Sequence, residues 1–445
     1  MDESQLSRIV VVGAGAAGLF AAITCAEAAS DLDISVVEAG REPLTKVRIS
    51  GGGRCNVTHA CFDPALLVNH YPRGSRALRG AFTRFQPRDT VQWFQQRGVE
   101  LKTEADGRMF PTTDDSGTII DCLLGEAQRL GIRLLTRAPV QTIERQGNRF
   151  RVFIKGRGNS STGGRSPAIL MADRVLLATG SSPAGLRLAK SLGHSLVPSV
   201  PSLFTFNIKD PALHDLAGVS VDSVHLTLRV EGEKPLHQSG PLLITHWGMS
   251  GPAVLKLSAY GAVGLHQQRY QAQLQVNWIP ALGQDDIRAL LLEIKQTQGK
   301  RLVLNTCPVA VPRRLWQYLV LHRVGLAATL TWANLPKKSL QHLVVELSQG
   351  TYAISGKGVF KDEFVTCGGV RLQDVNFKTL ESRLCPGLYF AGEILDVDGV
   401  TGGFNFQNAW TTGWLAGLAM AAGATERKTY APGQTPDLAR NRQSG

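Results

Sequence analysis

The chain has 445 residues, too many for one hydrophobic core, and this length predicts about three domains. Hydrophobic residues at 43% and charged residues at 19% exclude a largely disordered chain. Its 48 Lys and Arg against 36 Asp and Glu leave a net charge of +12, dispersed without a run of five or six, so the surplus reads either as general surface charge or as a patch for nucleic acid or anionic substrates.

The opening MDESQLSRIV places two acids before any apolar run, which does not read as a secretory signal, and no apolar segment reaches the roughly 18 residues of a membrane helix. A cytoplasmic protein without a membrane partner is expected. Ile9–Val12 then form a β-branched strand that enters Gly13-Ala14-Gly15-Ala16-Ala17-Gly18. The Ala-rich stretch from Leu19 to Ala29 reads as a helix, and Ile34–Val37 as a second strand ending at Glu38. Residues 133–154 read as a small meander, residues 155–167 as an exposed hairpin loop, and Arg174–Ala178 as a buried strand stopping at Thr179-Gly180. From residue 202 to 279 the pattern has a period of two, as in Val224-His225-Leu226-Thr227-Leu228-Arg229, and predicts an antiparallel sheet or barrel. Helical periodicity follows from Asp285 to about Ser348, punctuated by Pro308, Pro312 and Pro336. Strand-and-glycine character returns near residue 366. Gly387–Glu393 is a strand running into an acid, Thr401-Gly402-Gly403 opens a last helix through about Ala421, and Thr425–Gly445 reads as a polar, frayed tail.

Strand, glycine turn, helix, strand and acid within about 30 residues make a nucleotide-binding βαβ unit. Gly13 permits the tight turn, Gly15 lets the backbone approach a pyrophosphate, and Gly18 allows close helix–strand packing. Ala16 and Ala17 offer helix N-terminal N–H groups to phosphate, while Glu38, followed by Ala39, is placed to accept bonds from the adenosine ribose. This motif does not separate FAD from NAD. The far end does: Gly392-Glu393 closes a strand and Gly402-Gly403-Phe404-Asn405 starts a helix, an arrangement suited to the ribityl chain and pyrimidine edge of a flavin. Between them lies Lys46-Val47-Arg48-Ile49-Ser50-Gly51-Gly52-Gly53-Arg54-Cys55-Asn56, whose three glycines predict backbone lying flat against a ligand. Val140, Thr179 and Gly180 complete the candidate cofactor set.

The segments SGGGRCNVT (50–58), DGRMFP (106–111), THWGMSGPAVLKLS (245–258) and GLYFAGEILDVDGVTGGFNFQNAW (387–410) resemble the BaiN/YhiN-like family of bacterial flavoproteins, which includes aminoacetone-oxidase-like members. The resemblance runs from about residue 8 to 420. It implies an α/β fold with a discontinuous Rossmann-like FAD-binding domain of the glutathione-reductase type, interrupted by an antiparallel β-barrel-like domain and a small helical domain. The expected boundaries are 1–199 and 367–425 for the FAD domain, 200–283 completed by 351–366 for the barrel, 284–350 for the helical domain and 426–445 for the tail. Carried over by position, it puts Glu38 on the ribose, residues 46–56 around pyrophosphate and flavin, Glu393 on the ribityl chain, and Gly402–Asn405 beside the isoalloxazine. Departures are Arg371–Asn376, Trp410 and Trp414, read as variations near the site.

Seven cysteines, an odd number without a CxxC pair, suit reduced thiols and give no metal site. Cys55 and Cys61 are spaced C-x5-C, unlike the C-x4-C of flavin disulfide reductases, and no second GxGxxG unit appears in mid-chain. His246 is a candidate acid or base, with a structural hydrogen-bonding role as the alternative. The expected activity is FAD-dependent oxidation or reduction of a small organic molecule, with hydride passing to or from flavin N5 and NAD(P)H or O2 as electron partner. A nucleic-acid-associated flavoprotein, tRNA-modifying or non-catalytic, and a thiol–disulfide reductase are the alternatives. A substrate pocket is expected where the inserted segments meet the flavin end of the nucleotide domain.

Overall fold

The last four residues of the first strand, Ile9 to Val12, are buried without polar alternation, the signature of a strand covered on both faces. In a computed structural model, which describes residues 6–158, 166–358 and 365–429, this strand is β1 (Ser7–Val12). It leads into helix α1 (Ala16–Ala28) and returns as β2 (Leu32–Val37), parallel to β1 and in register from Ser7/Leu32 to Val12/Val37. On its other side β1 pairs in parallel with strand Arg174–Leu177, which pairs in parallel with Leu388–Phe390. The seven-stranded sheet runs Val375–Asn376, Glu381–Ser382, Leu388–Phe390, Arg174–Leu177, β1, β2, Arg133–Leu135, the first two joining antiparallel. This is a Rossmann-like α/β fold assembled from both ends of the chain.

The chain divides into two compact units, residues 1–198 with 368–445, and residues 199–367. In the first, the C-terminal helix Phe404–Thr429 packs closely on α1, with Phe20 and Trp410 ring centroids 5.3 Å apart. A buried polar network pins that helix: Gln407 Oε1 accepts from Thr58 Oγ1 at 2.6 Å and Thr90 Oγ1 at 2.9 Å, and its Nε2 donates to Thr411 Oγ1 at 3.0 Å. Each of these groups would cost free energy if buried without a partner, so the network fixes one rotation of the helix. A small antiparallel sheet of Thr58–His59, Arg108–Pro111 and Leu101–Thr103 carries the SGGGRCNVT and DGRMFP segments side by side.

The second unit contains a closed barrel in the order Phe206–Ile208, Gly248–Ser250, Leu236–Thr245, Ser220–Arg229, Ala272–Asn277, Gly350–Lys357. Val224, Leu226 and Leu228 fill its interior, alternating with His225, Thr227 and Arg229. Between its strands Ala272–Asn277 and Gly350–Lys357 the chain forms helices Gln284–Thr297, Arg313–Tyr318 and Lys337–Gln349, which share the barrel's hydrophobic core.

Some local expectations are corrected. Residues 133–135 are not part of the meander; they pair with β2 as the parallel edge of the main sheet, and the meander consists of Val140–Gln146, Arg149–Gly158 and Ser166–Ala172. The period-two stretch 202–279 contains a short helix, Pro211–His214, and two further helices, Pro252–Tyr260 and Ala262–Gln267, where Gly251 and Pro252 start a helix whose Ala253, Val254 and Leu257 are buried. The last helix runs on to Thr429, past Ala421 and into the stretch read as tail; residues 430–445 lie outside the described residues, as do 159–165 of the expected hairpin loop. Among the described residues no helix is long and apolar enough to cross a membrane.

Candidate cofactor site

The three motif glycines do two different jobs. Gly13, at φ 107°, donates its N–H to Val37 O at 2.8 Å, and a Cβ there would fall 2.4 Å from Ala178 O. A Cβ on Gly18 would fall 1.9 Å from Gly13 O. These two positions seal the strand–helix contact. Gly15, the residue before α1, is different: a Cβ there would meet nothing within 4 Å. No side chain caps α1 among the described residues, so its first N–H groups and the positive end of its dipole face that open space. Glu38 stands beside it, one carboxylate oxygen accepting from Ala14 N–H at 2.9 Å and the other from Gly40 N–H at 2.7 Å.

The open space is the start of a cleft lined by segments from both ends of the chain. Gly13 to Ala17, Glu38 and Leu44 to Val47 line one part; Ala178, Thr179, Gly180, Ala391, Gly392, Glu393, Asn405, Phe406 and Ala409 line the rest. Lys46 Nζ donates to Glu393 Oε2 at 2.7 Å, joining two lining residues 347 positions apart.

Residues 50–56 fold into a tight turn. Gly51, Gly52 and Gly53 have φ of 58°, 69° and 86°, in the left-handed region that other residues rarely adopt. A Cβ on Gly51 would strike the Phe110 ring at 2.9 Å, whereas Gly52 and Gly53 face space with nothing within 4 Å. The Arg54 guanidinium lies 4.0 Å over the Phe110 ring and donates to Glu104 at 2.7 Å, bracing the turn against the small antiparallel sheet. Cys55 is fully buried, and burial pushes its thiol up to about 12, so it carries its proton at neutral pH. The Asn56 amide donates to Thr58 O and accepts from Gly403 N–H, both at 3.0 Å, which ties this turn to the start of the C-terminal helix. Tyr71 Oη donates to Phe404 O at 2.7 Å, the Asn405 amide bonds both backbone groups of Gly399, and Arg73 forms a buried ion pair with Asp398. The His59 and His70 rings lie 4.7 and 4.2 Å from that of Phe404.

The candidate set therefore falls into groups. Gly13, Gly15, Ala16, Ala17, Glu38, Lys46, Thr179, Gly180, Gly392, Glu393 and Asn405 line the cleft, and Gly18 supports it from behind. Ser50 to Asn56 and Gly402 to Phe404 form the adjoining turn and helix start, linked through Asn56. Arg48 and Ala39 are exposed beside it. Val140 is outside the lining, paired with Ile154 in the meander; the backbone of Arg137 and Ala138, just before it, bonds Gly40 and Glu38. His246 occupies an exposed turn of the barrel in the second unit. Three departures prove structural. Trp410 is fully buried and donates to Val57 O at 2.9 Å, Trp414 stacks on Phe85 at 5.3 Å, and residues 371–376 form a turn and edge strand of the main sheet. The two tryptophans pack against neighbouring residues, and none of these residues lines the cleft.

Leu44, Thr45, Ala178, Ala391, Phe406 and Ala409 line the cleft without having been singled out as site residues, since small or apolar residues carry little chemical signal. Phe110, Tyr71 and Arg73 act through contacts made only on folding, although Phe110 lies in the quoted DGRMFP segment. No disulfide joins any of the seven cysteines, and among the described residues no cluster of three metal-ligating groups occurs.

The geometry fits FAD: an uncapped helix start beside an open glycine suits the pyrophosphate, Glu38 a ribose diol, and the open Gly52–Gly53 backbone a flat ring. The family model described as HI0933-like protein Rossmann domain matches residues 7–419. The ribosomal RNA dihydrouridine synthase of Escherichia coli is 28% identical over 416 residues, spanning 93% of this chain and 98% of that protein. The 3-dehydro-bile acid delta(4,6)-reductase of Clostridium scindens is 29% identical over 434 residues, spanning 94% and 99%. Among solved structures, the 3-ketosteroid-delta4-(5alpha)-dehydrogenase of Rhodococcus jostii aligns with a TM-score of 0.50 at 17% identity, over 94% of this chain and 98% of that one, a likeness of fold. With nearly its whole length matched, the chain belongs to the HI0933-like family of Rossmann-domain flavoproteins, FAD-dependent oxidoreductases.

Proposed function

We propose that this flavoprotein reduces a carbon–carbon double bond conjugated to a carbonyl, with NAD(P)H as the electron donor. The observation that carries the reading is the cleft itself, which runs from the uncapped start of α1 past Glu38 and the Lys46–Glu393 pair to the glycine-rich start of the C-terminal helix. Two full-length relatives supply the reaction type. Dihydrouridine is uridine with its ring double bond saturated, and a delta(4,6)-reductase acting on a 3-dehydro bile acid saturates bonds in conjugation with the ketone.

Bound in the cleft, FAD would supply a two-electron carrier between NAD(P)H and the conjugated double bond, which gains a hydride and a proton overall. The chain's own groups orient that carrier. The N–H groups of Ala16 and Ala17 would hold the pyrophosphate, Glu38 would accept from the ribose hydroxyls, and Glu393 would accept from the ribityl chain with Lys46 beside it. The Gly52–Gly53 backbone lets a flat ring approach without a side chain between. The start of the C-terminal helix would set its positive dipole end toward a bound flavin, favouring the negative charge of its reduced form. Buried Cys55 keeps its proton and takes no part, which disfavours the thiol–disulfide alternative.

One observation favours RNA over a small free enone as the substrate: the net charge of +12, the sign required to approach a polyphosphate. The test is anaerobic incubation of the holoprotein and NADPH with unmodified ribosomal RNA and, separately, with a 3-keto-delta4 steroid. Gain of two hydrogens by either product supports reduction of the conjugated bond, and the arm that reacts names the class. Failure of both, with flavin present and reducible, would reject the reading.

A further inference from the structure

The surplus charge is not evenly spread. Residues 294–345 contain eight Lys or Arg and no Asp or Glu. Six of the eight are three adjacent doublets, Lys300-Arg301, Arg313-Arg314 and Lys337-Lys338, and all six residues are exposed. Among the described residues only Arg323 of the eight forms an ion pair, with Glu346, and Lys295 and Arg314 donate to the backbone oxygens of Leu335 and Asp215.

The fold holds the doublets on one small frame. Trp332 N–H donates to Arg301 O and Ala333 N–H to Gly299 O, both at 2.9 Å, so the first doublet lies against the turn that leads into the third. Trp316, one helical turn after the second doublet, donates its indole N–H to Val303 O at 2.9 Å and stacks on Trp332 at 6.3 Å. Lys337 and Lys338 also occupy the first turn of a 13-residue helix with no acid there, where the macrodipole disfavours a cation. Charges so placed raise the energy of the free protein, and a polyanion relieves them.

We propose that the acid-free stretch 294–345 of this helical subdomain is a docking surface for the phosphate backbone of RNA, distinct from the flavin cleft. The proposal rests on the RNA reading of the substrate given above. A basic surface also suits an anionic membrane, but such surfaces insert apolar side chains between their cations. Leu292 is the exposed large hydrophobic residue of the subdomain and lies outside the stretch 294–345 that carries the doublets, where none is exposed, which favours a phosphate polymer.

The test measures binding of the full-length holoprotein to a fluorescein-labelled ribosomal RNA hairpin by anisotropy, across a salt series. The proteins compared are the wild type and the double variants Lys300→Gln/Arg301→Gln, Arg313→Gln/Arg314→Gln and Lys337→Gln/Lys338→Gln. Circular dichroism and the flavin spectrum report that each variant is folded. Each doublet should weaken binding about tenfold or more at physiological salt and lower the slope of log Kd against log salt by about two, one per lost phosphate contact. Wild-type affinity in all three variants, or no binding of RNA by the wild type, would overturn the surface. Binding to phosphatidylglycerol vesicles that the doublets abolish while RNA binding persists would overturn it in favour of a membrane. Dihydrouridine formation is scored in parallel. Its absence with doublet-dependent binding rejects the substrate reading alone, and its presence in doublet variants of unchanged affinity rejects the surface alone.

Discussion

Replacing Gly15 by Ala should lower the stability of the apoprotein by no more than about 1 kcal/mol while weakening FAD binding by one to two orders of magnitude. The residue has φ −85° and ψ −172°, conformations open to alanine, and an added Cβ meets no protein atom within 4 Å. Gly15 is the N-cap of α1, where glycine is tolerated better than alanine, so the change costs about 0.5–1 kcal/mol of stability. The Cβ does project into the space that faces the free N–H groups of α1. Displacing a phosphate from one charge-assisted hydrogen bond there costs about 1.5–3 kcal/mol, and 1.4 kcal/mol is tenfold in Kd. Gly18→Ala is the contrasting perturbation. Its Cβ would lie 1.9 Å from Gly13 O and 3.3 Å from Ala178 Cβ, so backbone must shift, at a cost of about 1–3 kcal/mol or more in stability. The assay is FAD titration of deflavinated protein by fluorescence quenching, paired with thermal unfolding of the apo form. Wild-type FAD affinity in Gly15→Ala, or an apo Tm lowered as far as that of Gly18→Ala, would refute the reasoning.

Glu38→Ala should weaken FAD retention by about 1–3 kcal/mol, the scale of a lost hydrogen bond to a charged group, and full flavin occupancy after dialysis would contradict it. Arg73→Leu leaves the fully buried Asp398 carboxylate without its cation and should destabilise by about 3–5 kcal/mol, read by denaturant unfolding. Adding Asp398→Leu should recover most of that loss; a double variant no more stable than the single would show that the pair's charge is not the cause. Cys55→Ser with Cys61→Ser should leave flavin reduction by NADPH within a few-fold. Because burial raises the Cys55 thiol to about 12, the native protein should also resist alkylation at that residue at pH 8, where an ordinary exposed thiol reacts.

The nucleotide-binding half of the cleft was legible because its chemistry demands particular residues at fixed spacing. Gly13 and Gly18 answer to steric contacts with Ala178 O and Gly13 O, and no other residue type satisfies them. The barrel was legible from strict alternation, as in Val224, Leu226 and Leu228. What escaped depends on contacts between distant parts of the chain. Arg73 and Asp398 are 325 positions apart, and Tyr71 reaches Phe404 across 333. Helices 252–260 and 262–267 were hidden because short apolar runs read alike as strand or helix. Trp410 and Trp414 drew notice as large aromatics near a motif, yet the helix that bears them turns both into its packing faces. The even impression of the charge likewise came from counting runs; three doublets in an acid-free stretch become one feature only when the fold gathers them around Trp316 and Trp332.

The most direct test of the account is a single anaerobic turnover. The protein is reduced with one equivalent of NADPH and then mixed with unmodified ribosomal RNA or a 3-keto-delta4 steroid, while the oxidised-flavin absorbance and the product mass are followed. The account predicts that the absorbance returns in step with the gain of two hydrogens at the conjugated double bond of one of them. Reduced flavin that persists with both, and returns to the oxidised form only when O2 is admitted, would contradict it.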